Sequence, residues 1–236
     1  MDYFEDIYLK RLNQTGFTMV DRVQYQREKE FHNLLQKSAY RINFIYKGFE
    51  QPALLERYKQ DESQTLQYLL TCRDLVLTAG TIVKAMDQKG DKKGVWMVLY
   101  LEDIKQSGYN RYIVIRTDLI VDIDGHKSYA CLIGPGHSYM RDIIKSRAAT
   151  TIYLEDFNSF LLILPKTQYI KKDTYLTIGK DWEKTGFRVT GFDLFTNPDV
   201  EYVTLDPMYI KDETPAPEKT EYDSDKDYFW LNGGGN

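Results

Sequence analysis

Along the chain, apolar and polar positions first follow a helical period and then, from about residue 39, an alternating one. Residues 3–14 place Phe4, Ile7, Tyr8 and Leu12 near helical spacing, and Gly16 suits the end of that helix. Thr18 or Asp21 is positioned to cap a second helix running to about Lys37. On it, Val20, Val23, Phe31, Leu34 and Leu35 form a thin apolar stripe in a charged surface. A stripe that thin predicts a partner surface, in the same chain or in a neighbouring subunit.

The period then changes. Tyr40, Ile42, Phe44 and Tyr46 alternate with Arg41, Asn43 and Lys47, a strand pattern that Gly48 ends. Residues 50–64 are polar and irregular and read as a loop or a single helical turn. Alternation resumes over Leu66–Cys72. Further strands are predicted at Thr81–Met86, Val95–Leu101, Tyr109–Thr117, Tyr129–Ile133, Phe160–Pro165, Lys171–Ile178, Gly186–Phe192 and Glu201–Asp206. The segment 87–94 is a Gly-rich hairpin loop, and Asn197-Pro198 marks a turn.

Part of this β pattern is written twice. Trp96-Met-Val98 matches Phe187-Arg-Val189 at an offset of 91, and Glu102, Tyr112 and Val114 match Asp193, Val203 and Leu205 at the same offset. Upstream, Gly80-Thr-Ile-Val83 matches Asp173-Thr-Tyr-Leu176 at an offset of 93, so the hairpin between them is two residues longer in the first copy. The predicted fold class is mainly β with N-terminal helices: a small barrel or sandwich built on a duplicated three-strand unit, with an extended C-terminal tail. The corresponding organisation is a helical arm (1–38), a first β lobe (39–136), a second β lobe (137–211) and a tail (212–236).

Charge separates the tail from the body. Residues 212–236 hold seven acids against two lysines, a net of −5, while the whole chain carries −4, so the first 211 residues sum to +1. A near-neutral body argues against a dedicated nucleic-acid binder, whose affinity comes from neutralising phosphates. The tail cannot form a core and is expected to be extended, yet it carries Tyr228, Phe229, Trp230 and Leu231 in succession. Docked, those four side chains contribute roughly 5 kcal/mol gross, at about 25 cal/mol per Å² buried. They read as an anchor for another surface, on the same chain or a neighbour. Tyrosine, at 19 of 236 residues, suits both strands and interfaces.

Candidate chemistry is sparse. Cys72 and Cys131 lie in apolar stretches and read as reduced core residues of an intracellularly assembled protein. No apolar run is long enough to span a bilayer, and the acidic N-terminus lacks a signal-peptide core. His32 reads as a solvated helix residue, His126 as part of the turn Asp124-Gly-His126, and His137 with Ser138 as residues of a flexible loop after Gly134-Pro-Gly136. Adjacent His and Ser do not make a triad, and no nucleophile elbow, phosphate loop or metal-ligand spacing accompanies them. The reading is therefore a non-enzyme with no cofactor and no metal. The concentrated basic tip Lys89, Lys92 and Lys93 is either a solvated hairpin or a contact with DNA phosphate or an acidic partner.

The series Gly80-Thr-Ile-Val83, Trp96-Met-Val98, Glu102 and Tyr112–Thr117 resembles the head-closure, or head–tail connector, proteins of tailed phages that infect Gram-positive bacteria. That family often opens the unit with glycine-aspartate; here Thr81 stands in the aspartate position, and Asp173 supplies an aspartate in the second copy. The resemblance implies a homo-oligomeric ring in the virion neck, assembled in the host cytoplasm. Its neighbours would be portal or adaptor proteins and tail proteins, and packaged DNA would be met without sequence specificity. Another virion assembly component, such as a tail-completion or adaptor protein, is the alternative, followed by a hydrolase using His137 and Ser138 or a nuclease using the carboxylates.

Overall fold

The computed structural model of the chain describes residues 7–12, 18–58, 65–102, 107–117, 119–123, 125–135, 159–167, 169–178, 185–193 and 197–208. Residues 7–12 are helical (α1), and Met19–Lys37 form the second helix, α2. Thr18 starts α2 with a reciprocal cap. Its hydroxyl accepts the Asp21 N–H, and the Asp21 carboxylate accepts the Thr18 N–H, each at 3.1 Å.

Strands β1 (Arg41–Tyr46), β2 (Phe49–Arg57), β3 (Leu66–Cys72), β4 (Ile82–Met86), β5 (Lys92–Glu102) and β6 (Tyr109–Arg116) form one sheet. Strands β7 (Leu119–Ile123), β8 (His126–Ile133), β9 (Phe160–Pro165), β10 (Tyr175–Ile178), β11 (Thr185–Asp193) and β12 (Val200–Met208) form another. Each closes into an antiparallel barrel, in the orders β1-β2-β3-β6-β5-β4 and β10-β11-β12-β9-β8-β7. Adding six to every label of the first barrel reproduces the neighbours of the second. The repeat is therefore a whole six-strand barrel, and the three-strand unit legible in the sequence is its C-terminal half.

The match extends to single bonds. Gly80 N–H donates to Val98 O at 2.8 Å and Val98 N–H to Thr81 O at 2.9 Å; Asp173 N–H donates to Val189 O and Val189 N–H to Thr174 O, both at 2.9 Å. Gly80 and Asp173 both take left-handed backbone, with φ of 77° and 66°. The first copy meets that demand with glycine. The second uses aspartate, whose carboxylate accepts two hydrogen bonds from Arg188. A bulge follows at equivalent places, between Val98 and Tyr100 and between Val189 and Gly191.

Strands that bury both faces hold the barrels together. Trp96, Val98, Tyr112 and Val114 fill the first barrel, and Leu162, Leu164, Val203 and Leu205 fill the second. The alternate residues of the same strands form a shared core: Met97, Leu99 and Ile113 pack with Leu161, Ile163 and Tyr202. This explains the uninterrupted apolar runs at Val95–Leu101 and Phe160–Leu164, where two-sided burial removes alternation. The Asn197-Pro198 turn locks the seam, because Asn197 Nδ2 donates to Leu99 O at 2.9 Å.

Two expectations are corrected. Within the segment 50–64, read as a loop or a single helical turn, residues 50–57 belong to strand β2, which is in register with β1 from Phe49↔Tyr46 to Leu54↔Arg41. Their alternation is hidden because Ala53 faces the barrel interior while Leu54 faces α2, so both neighbours are buried. The chain passes from one barrel to the other at residues 117–119, not after residue 136. Strands β7 and β8 pair with β10 and β9 of the second barrel. The sequence shows no break there because Thr117 is itself buried between two β-rich segments.

The partner expected for the thin stripe of α2 is the first barrel. Phe31 and Leu35 pack on Leu54 and Leu70, and the Phe31 ring stacks on Tyr109 at 4.9 Å. Gly108 lies directly beneath the helix, where a β-carbon would stand 2.6 Å from the Glu28 backbone nitrogen. Val20 remains 75% exposed, with Met19, Val23 and Leu34 also exposed. No helix among the described residues is long and apolar enough to cross a membrane.

Candidate functional site

The hairpin Asp87–Asp91 joins β4 to β5 at one end of the first barrel. Asp87 shapes it: its carboxylate accepts the backbone N–H groups of Lys89 (2.8 Å) and Asp91 (2.9 Å), and Lys93 Nζ lies 3.4 Å away. Those bonds hold the Asp87 carboxyl below the usual carboxylate range, led by the backbone donation from Asp91. The folded hairpin walls a cleft of about 580 Å³ at the barrel mouth. Its lining includes Arg41 from β1, Lys89 and Lys93 from the hairpin side, Trp96 from β5 and Arg116 from β6.

Two of these residues are cross-strand partners, since β5 and β6 pair Trp96 with Arg116. Gly94, two residues before Trp96 and on the same face, leaves the space between them open. A β-carbon on Gly94 would lie 3.4 Å from Trp96 Nε1 and 3.8 Å from Arg116 Nε. Trp96 is 3% exposed, and its indole N–H has no acceptor. Arg41 Nε is likewise buried without a hydrogen-bond partner. Among the described residues, Arg41, Lys89, Lys93 and Arg116 line the cleft with Asp87, which Lys93 pairs, and Trp96 Nε1 and Arg41 Nε are buried donors without a protein acceptor.

Of the basic tip singled out from the sequence, the structure brings Lys89 and Lys93 to this cleft. Lys92 does not line it; its charge instead acts on Lys84, whose ammonium is shifted below the usual lysine range first by burial and then by Lys92. Nothing in the sequence marks Arg41, Trp96 and Arg116 as residues of one site. Their sequence spacing carries no signal, since it is closure of β1 against β4, the neighbour of β5, that brings Arg41 to the same rim as Trp96 and Arg116. Tyr228, Phe229, Trp230 and Leu231 lie outside the described residues, as do His137 and Ser138.

A second groove, about 1000 Å³, runs between the barrels. Lys47, Lys127, Lys166, His126 and Tyr129 line it, and His126 stacks on Tyr169 at 3.8 Å with 12° between the rings. His126 is the first residue of β8 rather than a turn residue. His32 is exposed on α2, as expected, and both cysteines are unbridged, with Cys131 buried and Cys72 half-buried. Arg111 of β6 is engaged within the sheet, 2.6 Å from Glu102 and over the Tyr68 ring. Among the described residues no group of three or more His, Cys, Asp or Glu side chains is arranged to hold a metal ion.

No protein-family model, curated protein or solved structure matches this chain.

Proposed function

We propose that this chain is a structural protein that assembles with copies of itself, and that its place is the neck of a tailed-phage virion, between the portal region and the tail. The observation that carries the assembly part is the contrast between body and appendage. Both barrels are closed, so neither offers a sheet edge for pairing. The first turns of α2, in contrast, leave Met19, Val20 and Val23 exposed beside a docked second half. Two barrels joined by an apolar seam supply the rigidity a ring subunit needs, and the exposed end of α2 supplies a surface for a neighbouring copy. The neck assignment rests on the resemblance of the Gly80–Thr117 unit to head-closure proteins.

Light scattering of the purified full chain, followed by negative-stain imaging, tests the reading. The expected result is a closed oligomer with a central opening, and the protein is expected in purified virions. A strictly monomeric protein that is absent from virions refutes it.

A further inference from the structure

The repeat relates the outer surfaces of the two barrels as well as their interiors. In the first barrel, Leu54, Leu70 and Arg111 are paired side by side across β2, β3 and β6. Cys131, Ile163 and Tyr202 form the equivalent row across β8, β9 and β12. In the second barrel that face is the seam, where the row is buried with Met97, Leu99 and Ile113 of the first barrel. In the first barrel the same face lies under α2, where Leu54 and Leu70 pack with Phe31 and Leu35. The helix therefore stands where, in the other copy of the repeat, a whole barrel stands. It covers the face less completely. Leu161, Val200 and Tyr202 of the second barrel are buried, whereas their equivalents Tyr68, Tyr109 and Arg111 are half-buried with α2 in place. The gain from apolar contact grows with the area covered, so a partner as broad as a barrel gains more from this face than the helix does.

We propose that α2 is a removable cap over a self-association face of the first barrel, and that the occupant replacing it is the same face of a second copy of the chain. Head-to-tail addition of a copy through this face lacks an apolar complement among the described residues. At the positions of Met97, Leu99, Ile113 and Ile115, with which the first barrel docks, the second barrel carries Arg188, Thr190, Thr204 and Asp206. These polar groups are already engaged: Thr190 donates to Thr204 O at 3.2 Å, Ser159 to Asp206 at 3.1 Å, and Arg188 to Asp173. A polar outer face of that kind ends a stack of repeats. The face of Leu54, Leu70 and Tyr109 instead complements itself, and pairing like with like places a two-fold axis through it. The contact is separate from the one assigned above to Met19, Val20 and Val23, which uses α2 docked, whereas this one needs it released.

The test uses the full chain carrying F31S/L35S, which removes the helix anchors and leaves the barrel face intact, with G108A as a second route to release. Amide exchange of peptides covering 19–37 reports release, and sedimentation velocity in the micromolar range reports mass beside wild type. The released chain is expected to form a species of twice the wild-type mass. Adding L70K to F31S/L35S is expected to return the mass to that of wild type, because it sets a charge at the centre of the shared face; L54K serves if L70K does not keep β5 and β6 protected. A released helix with unchanged mass overturns the proposal. So does association that the added lysine leaves intact, which is non-specific adhesion of an uncovered apolar surface. A helix that stays protected in both F31S/L35S and G108A overturns it as well, since the cap is then not removable. Wild-type mass is read in the same experiment: a monomeric wild type refutes the ring, while the cap is judged on the variants alone.

Discussion

Replacing Gly108 with alanine should detach α2 from the first barrel while leaving both barrels folded. Gly108 is buried, and the added methyl would meet the backbone of Arg27 and Glu28, which are fixed by the helix hydrogen bonds and cannot rotate aside as a side chain can. The alternative to a rigid-body shift of the helix is undocking. Undocking exposes Phe31 and Leu35, each 3% exposed in the folded chain. Exposing two such side chains costs about 3–6 kcal/mol, at about 1.5–3 kcal/mol each. Smaller losses add to this: the Gln24 Nε2 bond to Ser107 O at 3.1 Å, and an exposed Arg73–Glu28 pair at 3.7 Å that contributes little in water. The undocking cost is a ceiling on the effect, because a clash that exceeds it is relieved by the helix leaving. Amide exchange of the full chain, read by mass spectrometry, separates the elements. Peptides covering 19–37 should lose protection by up to about two to four powers of ten, one for each 1.4 kcal/mol, while peptides from β3 and β6 keep theirs. If α2 peptides stay within threefold of wild type, a factor of ordinary experimental scatter (roughly 0.6 kcal/mol), the close approach at Gly108 does not hold the helix and the reasoning fails.

Two further outcomes follow from buried polar groups. The Tyr112 hydroxyl accepts the Leu77 N–H at 3.0 Å and donates to Leu75 O at 3.1 Å, pinning the loop before β4; Y112F leaves that N–H without its partner and should destabilise by about 1–3 kcal/mol in urea unfolding, whereas an unchanged midpoint would mean water or another acceptor replaces it. Glu201 is 4% exposed, and burial raises its carboxyl above the usual glutamate range despite hydrogen bonding from Thr167 and the nearby Lys166. The folded state therefore holds that proton more tightly than the unfolded chain, so its contribution to stability is full below the unfolded value and is lost as pH rises through the folded one. E201Q should consequently be more stable than wild type at pH 7 and converge with it toward pH 4, measured by urea midpoints across that range; parallel pH profiles would show that Glu201 is not the titrating group.

The duplication was legible where paired residues meet the same local demand. The left-handed position at Gly80 and Asp173 and the bulge after Val98 and Val189 each restrict the residue types allowed, so the pattern survives in both copies. The other half of each barrel was illegible as a repeat. Among the described residues, strands β1 to β3 accommodate α2 and the seam, whereas β7 to β9 face the seam and their own barrel. Different burial on the outer faces erased the likeness while the strand order persisted. The same cause hid β2, whose Ala53 and Leu54 are buried against opposite layers.

The cleft divides along the same line. Its hairpin, with a glycine turn and three lysines, was visible because turn chemistry and charge are local properties of the chain. Trp96 stood out only as an apolar strand centre, and Arg41 and Arg116 as the polar members of alternating strands. Their convergence needs β1 to close against β4 and β5 to pair with β6, contacts that bring residues 41, 96 and 116 to one rim. Local periodicity thus specified a helix-led, duplicated β protein with a separate acidic tail. Barrel closure, a non-local set of backbone bonds that no short window of sequence encodes, decided that the repeat is six strands, that the helix rests on Gly108, and that buried donors gather at one barrel mouth.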